Sequence, residues 1–512
     1  MRKVISIVLC LAIMFSFSAC SLTSGNATFT IGIRETVNTF NPLLSKTDAE
    51  KIISTNCFEG LLRFDEHGKI NLAGATAYKI EKDGLSYIFK LNPKAEWYIP
   101  EGAKTIIKNA NIKDFNSSIT AQDYVYGFQK FQEENPDFNS IKSINIVDDF
   151  TIEITLAEKD LDLLYKLAAL PIYPCSKSFI ETSGNSYATT SDTILYNGPY
   201  YVKEASPAET VLTKNPHYNG NIQIQNKKVL LYTTGTEEAL KTRFNDGSYN
   251  IYIANSIIES IAYKHPTATT FSEVWGIAFN CKSKLCSQSN FREILASSIN
   301  FDDITYPDFA IQEAKFLYPA SFSIGDVTYG SFENNLTPPE FNADNAVKAL
   351  DTIQQKYGIA SYSVTFAAPE EMKTSAEKII ADWENLFGEK INFTLVTFPA
   401  NHAKMFSEKG EYDVAVLPIN TNEKTATSII NSISAAPCYY GGKTIQNLKG
   451  KLNTIPEESF KIHQKAEQHI IKNNIFVPLF YTGKALYINE SFSGIYLADG
   501  GKLLYFHEGH EV

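Results

Sequence analysis

Cysteine is scarce in this chain, and the few present do not make a framework. Of 7 cysteines, Cys10 falls in an apolar leader and Cys20 at its end, leaving Cys57, Cys175, Cys281, Cys286 and Cys438. An odd, widely spaced set excludes a disulfide scaffold. Cys281 and Cys286 are near enough in sequence to bridge across Lys282-Ser283-Lys284, or they stay as buried free thiols. No C-x-x-C pair or histidine cluster accompanies them, so no zinc site is expected. Long hydrophobic runs are also missing: beyond the leader, nothing approaches the length of a membrane-spanning helix. Basic charge is in deficit, with 46 Lys+Arg against 57 Asp+Glu and a net charge of -11. Removal of Arg2 and Lys3 with the leader leaves 44 bases against 57 acids, which argues against nucleic acid as a partner.

The marks of catalysis are absent too. There is no G-x-S-x-G elbow, no H-E-x-x-H and no G-x-x-x-x-G-K-[ST] phosphate cradle. An enzyme would have no nucleophile, base and charge stabiliser at a known spacing behind it. His507-Glu508-Gly509-His510 reads as a solvated carboxyl-terminal tail, and His463 and His469 as solvent-facing residues of a charged helix. Asp148-Asp149 and Asp302-Asp303 read as turn and cap chemistry. Neither cofactor nor metal is expected.

What is there begins with an address. Arg2 and Lys3, the apolar run Val4 to Phe17, then Ser18-Ala19-Cys20 have the pattern of a signal peptide ending in a lipoprotein cleavage box. Phe17 stands where such boxes usually carry Leu. The alternative is a plain secretory signal with an incidental cysteine. Cleavage before Cys20 and its lipidation would give a two-chain anchor, with Ser21 to Asn26 as a tether, on the outer face of the cell membrane.

The remaining length suggests two or three domains. Thr151 to Leu156 alternates Ile152, Ile154 and Leu156 with polar residues, the period of a half-buried strand, and Tyr87 to Leu91 is a second strand. Thr120-Ala121-Gln122-Asp123 is a capping box opening a helix with Tyr124, Phe128 and Phe131 on one face. From Tyr362 to Ile419 strand and helix patterns alternate: strand Tyr362 to Phe366, helix Met372 to Phe387, strand Ile391 to Leu395, a short helix Ala400 to Ser407, strand Tyr412 to Leu417. Such alternation predicts a mostly parallel sheet covered by helices, with ligands beyond the strand carboxyl ends, near Leu417 to Lys424. Pro456 to Lys472 is a further helix, and Pro478 marks Phe476 to Tyr481 as an edge or irregular strand.

Several ordered motifs resemble those of one family. Asn41-Pro42, Phe58-Glu59-Gly60-Leu61-Leu62 with Asp65 and Gly68, Asp83-Gly84 through Leu91, and Thr120-Ala121-Gln122-Asp123 come first. Asn197-Gly198-Pro199-Tyr200, Asn215-Pro216-His217-Tyr218, Phe279-Asn280 before Arg292, and Val477-Pro478-Leu479-Phe480-Tyr481 follow. In this order they resemble the solute-binding proteins, family 5, of oligopeptide, dipeptide and nickel ABC importers. The resemblance implies an α/β, two-lobed periplasmic-binding-protein-like fold (type II, large cluster), with an extra α+β subdomain inserted in the first lobe. It implies a signal peptide at 1–19, a tether at 20–28, lobe I at 29–57, 187–278 and 483–512, the inserted subdomain at 58–186 and lobe II at 279–482. A monomer is expected that closes its lobes on a peptide or other small solute and meets the permease subunits of an importer.

The resemblance also nominates residues. Lys46, Thr47 and Asp48, after Asn41-Pro42, and Tyr481 are carried over as cleft neighbours. Trp275 and Gly276 precede the expected lobe crossing, where an aromatic often lines the cleft; a core role for Trp275 competes. After Tyr412-Asp413 the family's peptide binders carry a W-x-A-D-Y-x-[DE]-P stretch whose Asp pairs with the peptide amino terminus. Here Ile419 replaces the Trp, Asn420 follows, and Asn422 replaces the Asp. An amide cannot neutralise an ammonium, so Glu423 must turn inward to do so, or else Glu423 and Lys424 are loop surface charges. That departure leaves three readings open: an import receptor for peptides, a receptor for one signalling peptide, or a binder of a non-peptide solute such as a sugar or metal chelate. The second departure, a Lys- and Asn-rich insertion between Trp97 and Thr120, is expected to be an exposed loop.

Overall fold

Apolar strand segments dominate the centre of the chain, and they assemble into one eleven-stranded mixed sheet. The structure is a computed structural model and describes residues 28–112, 115–135, 140–257, 266–324, 327–331, 342–420, 428–453 and 455–512. In chain order the sheet uses β1 (Thr28–Ile33), β2 (Tyr200–Ala205), β3 (Glu209–Lys214), β4 (Lys228–Thr233), β5 (Ile251–Ala254) and β6 (Ala268–Phe279). The rest are β7 (Gln312–Glu313), β8 (Tyr362–Pro369), β9 (Ile391–Phe398), β10 (Val414–Asn420) and β11 (Phe476–Ile488). The spatial order is β9-β8-β10-β6-β11-β5-β1-β4-β3-β2, with β7 paired off the path to β11.

The expected parallel unit is present: β8 pairs in parallel with both β9 and β10. Helix α3 (Lys373–Phe387) packs on it through Ile379, Ile380, Trp383 and Phe387, and Gly388 ends it at positive φ. The sheet as a whole is mixed, because the long strands β6 and β11 run antiparallel to each other and to their neighbours β10 and β5. These two strands join the β8–β10 side to the β1–β5 side. Pro478 lies inside β11, a central strand rather than an edge. The pairing jumps from Trp275↔Phe480 to Gly276↔Pro478, so an irregularity absorbs the missing N–H.

A separate four-stranded antiparallel sheet takes Ala75–Ile80, Ser86–Leu91, Thr151–Leu156 and Ile141–Asp148 in that order. Ile152, Ile154 and Leu156 face its core as the alternation requires. Helix α2 (Ala121–Glu134) buries Tyr124, Phe128 and Phe131 in that core. At its start Asp123 reaches back and accepts hydrogen bonds from Thr120 N at 2.8 Å and Thr120 Oγ1 at 3.0 Å. The segment expected to be a loop holds a helix, Glu101–Asn109, started by Pro100 and seated on the core through Ala103, Ile106 and Ile107. Their i, i+3, i+4 spacing is the reason, hidden among lysines and asparagines.

Many of the motif residues tie elements together. Asn197 accepts from Glu59 N at 3.1 Å and donates to Glu59 O at 2.7 Å. Asn280 donates to Tyr412 O at 2.9 Å, and Arg292, 3% exposed, donates to Cys286 O and Asn473 O. Of the two readings for Cys281 and Cys286, the free-thiol one holds, with Cys286 buried and Cys281 half-buried. Several other expectations fail. His463 is buried on α4 (Pro456–Lys472), with Tyr318 Oη 2.8 Å from Nδ1 and Phe322 edge-on at 5.1 Å. His469 is half-buried, with Tyr440 Oη at 2.9 Å. The apolar stripe of α4 is wide enough to take in both rings. The carboxyl end is no solvated tail either: Phe506 and His507 are buried, and His510–Glu511 pairs with Phe492–Ser493. Burial pushes both His463 and His507 down to about 3, so each is neutral.

Among the described residues no group of three or more His, Cys, Asp or Glu is placed to hold a metal, and no helix is long and apolar enough to cross a membrane.

Candidate functional site

The site starts from the pleat of β6 and β11. Residues directly opposite in an antiparallel pair point to the same face. Glu273 stands opposite Thr482 on one side and Asn420 on the other, and Trp275 stands opposite Phe480 and Pro418. One face of the crossing strands therefore presents Glu273, Trp275, Thr482 and Asn420 together. Glu273 Oε2 accepts from Trp275 Nε1 at 3.2 Å and from Thr482 Oγ1 at 3.2 Å. Burial pushes the Glu273 carboxyl upward, while those two donors and the charge of Lys502 pull it down.

The same face continues to Lys484, opposite Thr270, where Lys484 Nζ meets Asp48 Oδ2 at 2.8 Å. Asp48 opens helix α1 (Asp48–Cys57), and its loop is held rigidly. Thr47 Oγ1 accepts from Glu50 N, while the buried Glu50 carboxylate accepts from Lys46 N, Thr47 N and Asn38 N at 2.9–3.1 Å. Burial raises the Glu50 carboxyl, but these hydrogen bonds outweigh it and leave it below its usual range. The turn Asp499–Gly501 closes the approach: a Cβ on Gly500 would touch Ser272, and one on Gly501 would overlap Lys484.

Of the residues nominated from the sequence, the structure brings Trp275, Asn420 and Asp48 to this face, with Lys46 and Thr47 in the loop that carries Asp48. Trp275 is also a core residue: 4% exposed, stacked on Phe480 at 6.0 Å and 8°, and against Phe309 at 5.5 Å. Its ring packs as the core reading has it, and its N–H serves Glu273. Gly276 is a packing position, since a Cβ there would sit 2.3 Å from Val477 O. Ile419 and Tyr481 are on the opposite face, both opposite Val274. Tyr481 is buried and donates to Phe316 O at 2.8 Å. Asn422 and Glu423, and Cys20, lie outside the described residues. Glu273 escaped the sequence reading, although an acid inside the apolar run Phe271 to Phe279 was its signal.

The architecture defines the class: a mixed α/β, two-lobed binding protein of the type II periplasmic kind. HbpA2 from Haemophilus parasuis matches with a TM-score of 0.75 at 14% identity, over 95% of this chain and 100% of that one. Listeria monocytogenes OppA bound to peptide matches with a TM-score of 0.63 at 18% identity, over 95% and 99%. The sequence pattern described as bacterial extracellular solute-binding proteins, family 5 Middle, matches residues 69–438, and the chain belongs to that family. Similar proteins include the oligopeptide-binding protein AmiA of Streptococcus pneumoniae, 25% identical over 284 residues, which are 52% of this chain and 41% of that protein. The matched stretches of AmiA and of AliB of the same species thus span 41% and 42% of those relatives' length. The periplasmic oligopeptide-binding protein OppA of Escherichia coli is 22% identical over 482 residues, 84% of this chain and 83% of that protein.

Proposed function

We propose that this protein captures short peptides outside the cell by closing its two lobes and delivers them to the permease of an ABC importer, held at the membrane by lipidated Cys20. The observation that carries the reading is the Glu273 carboxylate on the two long strands at the middle of the sheet, fixed by Trp275 and Thr482. Where the family's peptide binders use an aspartate and this chain has Asn422, Glu273 supplies the missing negative charge from β6. A peptide ammonium then finds a carboxylate already desolvated and oriented, with Asn420 alongside. Relatives named for oligopeptide binding and a neighbour solved with bound peptide support the ligand class. The two strands that join the lobes support hinge closure, in which the ligand shifts the equilibrium by binding the closed state more tightly.

Native mass spectrometry of the full chain, purified without refolding, tests this. A heterogeneous set of peptide masses supports import-type capture. A single peptide mass would favour a signalling receptor, and a single non-peptide mass would overturn the peptide reading. Glu273→Gln should weaken peptides with a free amine about 10–100-fold, since a charge-assisted hydrogen bond contributes about 1.5–3 kcal/mol. Acetylated peptides should bind the two forms alike.

A further inference from the structure

A second concavity lies behind the 499–501 turn, between lobe I and the inserted subdomain. It has a volume of ≈ 360 Å³ and is walled by Leu43, Phe131, Tyr165 and Leu170 among others. That is room for one side chain or a small terminal group. Its charged lining residues are Lys51, Lys166 and Lys502 against Asp499 alone, a basic surplus in a chain of net charge -11.

The four charges are not equivalent. Lys166 is held by Asp160 at 2.6 Å and Lys502 by Asp499 at 3.4 Å. Asp499 is buried and also accepts from the Tyr165 hydroxyl, so its charge is spoken for within the wall. Lys51, half-buried on α1, has no side-chain partner among the described residues. A half-buried ammonium beside aromatic and aliphatic walls is set for an anion that arrives with an apolar body.

The turn connects this cavity to the crossing strands. It packs against both β6 and β11, and Lys502, on the cavity wall, acts electrostatically on Glu273. Lys502 thus belongs to both surroundings: it lines the cavity that holds the unpaired ammonium of Lys51, and its charge acts on the Glu273 carboxylate. We propose that the cavity is a subsite for a ligand carboxylate borne on an apolar or aromatic group, with Lys51 as its counter-ion. The inference rests on the peptide-binding reading above and narrows it to zwitterionic or acidic ligands. The carboxylate comes either from the peptide carboxyl terminus or from an acidic side chain.

The test uses the full chain and calorimetric titration. The ligands are a tripeptide ending in Phe, its carboxyl-terminal amide, the same amide carrying a Glu side chain, and 3-phenylpropionate as a non-peptide probe. The free acid should bind about 10-fold more tightly than the amide. Lys51→Gln should abolish that difference, and Lys51→Arg should restore it. If the Glu-bearing amide recovers the affinity instead, and loses it in Lys51→Gln, the side chain is the source. Equal affinities of acid and amide, unchanged by Lys51→Gln, overturn the subsite and leave peptide capture standing. Binding of 3-phenylpropionate that requires Lys51, with no peptide bound, sustains the subsite and overturns the peptide reading. Failure of all four ligands overturns both.

Discussion

Glu467 offers a direct check on the buried interior around α4. Its carboxylate is fully buried on α4 and accepts from Leu317 N at 2.6 Å, Tyr318 N at 3.3 Å and Tyr329 Oη at 2.7 Å. Burial nevertheless pushes it up to about 7, the three donors offsetting only part of the desolvation. In the unfolded chain the group titrates near 4.5. Between those two values the folded state holds a proton that the unfolded state has released. The stabilisation from that proton is therefore complete below pH 4.5 and lost as pH rises through 7. A gap of about 2.5 pH units at 1.36 kcal/mol each is about 3 kcal/mol. Glu467→Gln keeps the shape, accepts from the two backbone N–H groups, faces Tyr329 with an amide, and does not titrate. Thermal unfolding at pH 5 and pH 8 measures the difference. Glu59, also pushed up to about 7 by burial, adds a slope of the same sign, and the buried neutral His463 and His507 add one of opposite sign, but all three act in both proteins. The Glu467 contribution is therefore read as a difference: on going from pH 5 to pH 8 the melting temperature of the wild type should fall by several degrees relative to that of Glu467→Gln, at about 2–4 °C per kcal/mol for a folding unit of this size. Identical slopes for the two proteins would refute the reasoning.

Three further outcomes follow from the packing. Trp383 is completely buried and its Nε1–H has no partner among the described residues, so Trp383→Phe should cost far less than the about 3–5 kcal/mol expected for Trp383→Ala by denaturant unfolding. Gly276→Ala places a methyl 2.3 Å from Val477 O and should destabilise by about 1–3 kcal/mol, with a matching fall in melting temperature. Asp123→Ala removes the acceptor for Thr120 N and Oγ1 and should cost about 1 kcal/mol, visible as faster hydrogen exchange in the first turn of α2.

What was legible in the sequence was whatever a short window determines. The alternation of Ile152, Ile154 and Leu156, the box at Thr120 to Asp123 and the α3 stripe each state their own structure, because neighbouring residues decide which face is buried. The errors came where distant chain decides. His463 carries a polar ring on a helix rich in Glu and Lys, and only Tyr318 and Phe322, more than 140 residues away, make its burial tolerable. The carboxyl-terminal segment looked like a tail for the same reason: Phe506 N donates to Asn56 Oδ1, 450 positions earlier, and the Phe506 ring packs edge-on against Tyr200. Pro478 left two local readings, an edge or an irregular strand, and distant pairing decides between them: the strand is central, and a register jump against Trp275 and Gly276 removes the need for its N–H.

The site shows the same limit from the functional side. A motif comparison looks for an acid at one place in the sequence, and finding Asn422 there it reports a loss. A binding cleft needs a negative charge at a place in space. β10 ends at Asn420, and Asn420 lies across the pleat from Glu273, so an acid about 150 positions earlier in the chain is the adjacent side chain on the adjacent strand. Under the proposed function, Glu273 on β6 would provide the negative charge that the linear motif lacks at Asn422, and the charge of the cleft would persist while the linear signature is erased. If this is how the cleft is built, restoring an acid at Asn422 in the Glu273→Gln background should recover free-amine peptides, whereas Asn422→Asp alone should add little. A double variant that stays as weak as Glu273→Gln would mean that the two positions do not serve the same ammonium.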